Sequence, residues 1–509
     1  MSRSARIAAA VLALSSAACS PSSAPPSVTE PEDVAVVQLP VPADPTISFS
    51  LQFAVGSQND PPGKEGLAFL TGELLADAAT ETRSLDEILA ALYPLAASYE
   101  MRVDLERSTL TGRVHRDNLD AYLELFTEAF LKPKFSEDDF ERIQSDAINA
   151  IENTLRYASD EELGKAALHE AVFRGTRYAH LNDGTVTGLR AITLDDVREF
   201  YREHYTRANA LLGVGGGFEQ SVVDRLQDAL RQLPAGERAA PPAIEPPSIE
   251  GRSAVLVDKP NADASISFGF PLDVRRGERD FYALWIANSW LGEHRNQSSH
   301  LFNVIRELRG LNYGDYSYIE EFPEGGERSM PPVNVPRRMQ LFEVWIRTLP
   351  NEQAPFALRA ALRELQLLVD EGLTPEEFEL TRTFLKKYSL HFAETTDARL
   401  GYAMDDRFYG LDEEGHLARF RRMMDELTVE DVNEAIKRHW QYDNLKIAIV
   451  TGAAEQMRAR LASGEPTPIT YATPKPAAIL EEDRIIEAWP LNLAEERMTT
   501  IPVAEAFER

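Results

Sequence analysis

Cysteine, histidine and positive charge are all scarce in this sequence of 509 residues: it has one Cys, nine His, and 53 Lys and Arg against 82 Asp and Glu. A single thiol excludes an internal disulfide and a thiolate metal cluster. The formal net charge of -29 disfavours nucleic acid and anionic membrane surfaces, and suits either cationic peptide ligands or solubility alone. Long apolar runs are missing too, since residues 7–14 (IAAAVLAL) are too few to cross a bilayer. The rest is ordinary for a soluble globular protein, at 43% hydrophobic and 27% charged. The length suits about three to four domains.

The position of the one cysteine matters more than its number. Arg3 and Arg6 precede the apolar run, and Ser16, Ala17 and Ala18 lead directly to Cys19. Residues 1–19 thus resemble a bacterial lipoprotein signal, in which cleavage precedes a cysteine that is then diacylated. An ordinary secretory signal cut near Ala18 fits the same residues, and either one exports the chain. The lipoprotein reading implies a periplasmic protein anchored to the outer membrane through Cys19, with Ser20 in the sorting position and no other contact with membrane.

Residues 20–46 are rich in Ser, Pro, Ala and acids, and read as a disordered tether, so folding is expected from Ile47. Ile47, Phe49, Leu51 and Phe53 alternate as in a half-buried strand. A turn follows at 56–64, then helices at 66–75 and 85–93, paired strands within 97–114, and long amphipathic helices at 117–130 and 136–157. Residues 233–247 (LPAGERAAPPAIEPP) form a linker between a first domain, 47–232, and a second, 248–470. Residues 471–509 remain as a C-terminal extension.

The two domains carry one pattern twice. At a constant offset of 235, Thr193, Asp196, Val197, Glu199, His204 and Asn209 meet Thr428, Asp431, Val432, Glu434, His439 and Asn444. A second match, at offset 238, aligns SEDDFE from Ser136 with TPEEFE from Thr374. Internal duplication follows. In each copy a capped helix begins after Thr193 or Thr428 and a strand follows at 210–214 or 445–451. Strands and helices are segregated within each copy, so the fold class is α+β, two similar halves each a mainly antiparallel sheet covered by helices.

The stretch 301–318 (LFNVIRELRGLNYGDYSY) holds the clearest chemistry. Leu301, Val304, Ile305 and Leu308 fall on one helical face, Gly310 supplies the left-handed residue that stops a helix, and 311–318 suits a strand. Arg306 and Tyr313 flank the junction. A guanidinium fork and a phenol can together hold a peptide carbonyl. The same two residues also fit a solvated helix arginine beside a packed tyrosine.

Four long, colinear stretches now carry a resemblance: GSQNDPPGKEGLAFLTGELL, RYAHLNDGTVTGLRAITLDDVREFYREHYTRANALL, VLVDKPNADASISFGF and SSHLFNVIRELRGLNY. They resemble the insulinase (pitrilysin-like) zinc peptidase family over about 47–453. The resemblance implies a two-copy clamshell, with zinc chemistry in one half and substrate contacts from the other. Catalytic members carry HxxEH after the glycine turn. Here Phe69 stands at the first His, Gly72 at the Glu base and Glu73 at the second His. Downstream, Glu152 remains in the region of the further ligand. One or two carboxylates without imidazole make a poor zinc site, and both are equally read as ordinary helix acids.

The nine histidines supply no replacement. His204 and His439 occupy equivalent places in the repeats, which suggests a shared structural task, and His294 and His300 lack a recognisable ligand spacing. The glycine run at 213–217 (GVGGG) has no P-loop lysine and corresponds to a strand-end turn in the family. Arg306 and Tyr313 match the family's Arg/Tyr motif, which steadies the carbonyl under attack. The expectation is therefore an accessory subunit, inactive alone. It would hold no metal or cofactor of its own, bind peptide, and complete the zinc site of an HxxEH-bearing partner in a heterodimer. A peptide-binding or scaffold protein without catalytic role is the alternative.

Overall fold

The computed structural model describes residues 33–238, 241–320, 322 and 330–509, and these form one compact unit from Asp33. The signal segment with Cys19, and residues 20–32 of the expected tether, lie outside the described residues. Strands β1 (Ala35–Pro40), β2 (Thr46–Phe53), β3 (Ser98–Val103), β4 (Ser108–His115) and β5 (Ala210–Gly216) form one sheet in the order β1-β5-β2-β4-β3. Strands β6 (Ser253–Asp258), β7 (Ala264–Leu272), β8 (Asp315–Tyr318), β9 (Gln340–Leu349), β10 (Lys446–Thr451) and β11 (Met498–Pro502) form another, β11-β6-β10-β7-β9-β8.

The duplication is complete at the level of topology. β1 runs parallel to β5 as β6 runs parallel to β10, and every other neighbouring pair that the two sheets share is antiparallel. Both halves are thus α+β with a mainly antiparallel sheet. The repeated Thr residues do the same work in each copy: Thr193 and Thr428 cap helices Leu194–His204 and Val429–His439, each with an Asp three residues on that accepts from the Thr backbone N–H at 2.9 Å.

Three boundaries differ from the expectation. Folding begins before Ile47, because Ala35–Pro40 pairs in register with Ala210-side residues of β5 from Leu211 to Gly216. This edge strand is only half buried, so its apolar signal is weak, but its counterpart β6 shows that it belongs to the repeat. The glycine run is a strand-end turn only in its last residues: Gly213 to Gly215 lie within β5, which ends at Gly216 with φ 111°, and Gly217 follows in a bend. A Cβ on Gly213 would fall 2.7 Å from Met404 Sδ of the opposite half, so a side chain there would have to displace that methionine. Residues 471–509 also do more than extend the chain, because β11 closes the edge of the second sheet against β6.

Met404 is where it is because the halves exchange helices. Helix Asp160–Phe173 of the first half packs on β7 and β10 of the second, and helix Thr396–Tyr409 of the second packs on β1, β2 and β5 of the first. Small residues let these layers approach: Thr396 and Leu400 lie over Gly215, and Ser265 and Val450 over Gly164. The C-terminus adds another tie, with the Val186 N–H donating to Phe507 O at 3.1 Å and Arg156 Nη2 to Glu508 at 3.0 Å.

Candidate functional site

The helix that carries Arg306 ends in a π-helical turn, Phe302–Glu307, in which the Leu308 N–H reaches Asn303 O at 2.9 Å. The wider turn rotates Leu308 off the apolar face predicted for it, and it is exposed while Leu301, Val304 and Ile305 are buried. Gly310 adopts the expected left-handed conformation, φ 72°. The chain then reverses into β8, which brings Tyr313 back over Arg306.

Arg306 and Tyr313 are therefore neighbours. The guanidinium carbon lies 4.5 Å from the Phe302 ring centre and 5.9 Å from that of Tyr313, so both rings neighbour the cation. Tyr313 is 76% exposed. Close by, Asp315 is fully buried and accepts from Asn312 Nδ2 at 2.8 Å. Burial pushes its carboxyl well above the usual range, against a smaller downward pull from the Asn312 hydrogen bond and then from Arg347 and Arg306. Sequence inspection passed over Asp315, since nothing local marks an acid in a four-residue strand as buried.

The first half presents no matching zinc donors. Phe69 packs against the apolar core, and Gly72 is enclosed so tightly that a Cβ there would meet Val103 Cγ2 at 2.5 Å. Glu73 is held mostly out of water; burial, then Asp77 and Asp183, push its carboxyl up to about 7. Glu152 lies in a second π-helical turn, Ala150–Leu155, where it accepts from Arg190 Nη2 at 2.6 Å. As a donor set this does not fit zinc: there is no imidazole among these positions, and one of the two carboxylates is engaged by an arginine.

The remaining histidines are used in packing and hydrogen bonds. His204 lies with its ring centre 4.4 Å from that of Phe200, whereas His439 bonds Asp280 at 2.7 Å. His294 bonds the Tyr318 hydroxyl at 2.7 Å, and His300 bonds Glu364 at 2.6 Å while stacking on Trp290.

A cavity of about 490 Å³ lies between the halves, with Glu162, Lys165, His180 and Asp183 on one side and Arg337 and Glu343 on the other. Lys165 Nζ sits 4.9 Å from the Trp345 ring centre. Neither Arg306 nor Tyr313 lines this cavity.

Two family models match the chain in sequence order: the insulinase domain of peptidase family M16 over residues 35–182, and the peptidase M16 inactive domain over 191–385. The chain belongs to the insulinase family. Its duplicated α+β halves are the fold of that family's members. The Helicobacter pylori protein called non-peptidase homolog YmxG is 21% identical over 408 residues, 79% of this chain and 88% of its own length. An uncharacterised zinc protease of Streptomyces coelicolor is 24% identical over 359 residues, 69% of this chain and 73% of its own. Among solved structures, a peptidase M16 inactive domain from Pseudomonas fluorescens superposes with a TM-score of 0.72 at 23% identity, covering 82% of this chain and 95% of that one. Within the insulinase family this chain is a non-catalytic, M16-like member.

Proposed function

We propose that the protein is an accessory subunit of an insulinase-family peptidase, lending Arg306 and Tyr313 to a partner that carries HxxEH. The observation that carries this reading is the pair itself: two residues seven apart lie against each other with the phenol open to solvent, while no zinc donor set occurs among the described residues. The chemistry would be peptide hydrolysis by zinc-activated water in the partner, with Arg306 and Tyr313 donating to the carbonyl oxygen as charge develops on it. Zinc belongs to the partner in this scheme, and a peptide is the ligand. Lipid attachment through Cys19 would keep the assembly at the periplasmic face of the outer membrane. Reconstitution with an HxxEH-bearing family member, and turnover with and without Arg306 and Tyr313, tests the proposal.

A scaffold role without catalysis is the second reading. It is favoured by the exchanged helices and by the absence of Arg306 and Tyr313 from the cavity between the halves. Unchanged turnover in both single variants would promote it.

A further inference from the structure

In a chain with a formal net charge of -29, one cleft between the halves is lined by arginine. Its main lobe holds about 560 Å³, and an adjoining lobe of about 390 Å³ shares Arg107, Arg238 and Phe408 with it and adds Arg407. That volume is in the range of small-ligand sites. The acids of the main lobe already have arginines: Glu106 is held by Arg338 at 2.6 Å, Glu278 by Arg275 at 3.4 Å and Asp412 by Arg419 at 2.7 Å. No acid lines the adjoining lobe.

Arg107, Arg238 and Arg407 form no ion pair with a carboxylate among the described residues. Arg107 donates only to the carbonyl of Glu106, at 2.9 Å, and lies 4.6 Å over the Phe408 ring. Burial lowers its pKa to about 10; Glu106 and Asp405 pull it up, and Arg238 and Arg338 push it further down. Such a group is held charged in a concave, partly dry place, where a bidentate oxyanion gains most. Arg107 comes from the β3–β4 turn of the first half, and Arg407 from the end of helix Thr396–Tyr409 of the second.

We propose that this cleft binds a small oxyanion of two or more negative charges, of phosphate or carboxylate type, between Arg107 and Arg407. Bound there, the anion bridges the halves and holds them closed. The site is separate from Arg306 and Tyr313 and does not depend on the catalytic-accessory reading.

The test uses the whole exported chain with pyrophosphate and citrate as probes, at ionic strength matched with sodium chloride, read by thermal unfolding and titration calorimetry. Saturable binding with a rise in Tm is expected from at least one probe. Response to pyrophosphate alone identifies a phosphate ligand, and response to citrate alone a carboxylate. Arg407→Ala, an exposed change that leaves the fold intact, should weaken binding at least about tenfold, with Arg107→Lys weakening it as well because the fork is lost. Arg225→Ala, an exposed arginine outside the cleft, should bind as the natural chain does. Failure of both probes to bind, undiminished binding by Arg407→Ala, or binding of an acidic peptide with no response to either small anion would each overturn the proposal.

Discussion

Arg338 of the second half and Glu106 of the first are joined twice, by Nε to Oε2 at 2.6 Å and by the Arg338 backbone N–H to Oε1 at 2.7 Å. The Tyr178 hydroxyl donates to the same carboxylate, and Arg337 pairs with Asp104 at 2.6 Å alongside. Arg347 with Glu161, at 2.8 Å, and Lys259 with Asp160 make similar crossings. The closed form is thus fastened by desolvated charges as well as by the exchanged helices.

Arg338→Ala should loosen that closure sharply. It leaves the Glu106 carboxylate, whose side chain is 1% exposed, without its cation, a loss of about 3–5 kcal/mol. Denaturant unfolding should show it, and Arg338→Ala with Glu106→Gln should recover part of the loss because no charge is then stranded. Equal stability of natural and Arg338→Ala chains would contradict the assignment.

In a reconstituted complex, Arg306→Ala or Tyr313→Phe should depress kcat by about 10²–10³, the cost of roughly 2–4 kcal/mol for one lost donor to a developing oxyanion. Heterodimer formation should survive. A double variant no slower than either single would show the two acting as one unit. A change in KM alone would mean substrate docking without help in the transition state.

Rebuilding HxxEH in the first half should fail. Gly72→Glu forces a Cβ to within 2.5 Å of Val103 Cγ2, and overpacking of this kind costs about 1–3 kcal/mol. The variant with His at 69 and 73 and Glu at 72 should melt below the natural chain and take up no stoichiometric zinc on metal analysis. One tightly held zinc per chain, in this variant or the natural protein, would refute the argument.

Glu73 should make stability depend on pH. Its folded-state pKa, about 7, lies above the unfolded carboxylate value of 4.5. The folded protein therefore holds the proton more tightly, and this contribution is complete below pH 4.5 and lost as pH rises through 7. Glu73→Gln should raise Tm at pH 8, by roughly 1–3 °C in a chain of this size, and leave it unchanged at pH 4. A gain of equal size at both values would argue against the shift.

Cys19→Ser should move the protein from the membrane to the soluble periplasmic fraction, since acyl chains would be its anchor. Cell fractionation decides it: continued membrane association would point to an uncleaved signal or to attachment through another protein.

Much of the architecture was written locally. The alternation at Ile47–Phe53 became β2, though Ser48, Ser50 and Gln52 are buried as well and the strand is covered on both faces rather than half buried; the Thr caps became two equivalent helix starts, and Gly310 ended its helix, because these signals act over one or two turns of chain. The offset of 235 likewise foretold two halves of one design. Weak local signals failed: β1 is an edge strand, β11 lies in a tail of ordinary composition, and both were recognisable only by their pairing. The replacement of HxxEH by Phe69, Gly72 and Glu73 was legible in the sequence, yet the tight enclosure of Gly72 was not, since Val103 comes from another strand. Seven residues of spacing put Arg306 and Tyr313 in one motif; the π turn and the reversal into β8 decided that their side chains lie against each other. The exchanged helices, the buried acid Asp315 and the arginine cleft were decided by tertiary structure alone, because each depends on which distant segments share a face, and burial and charge compensation have no local code.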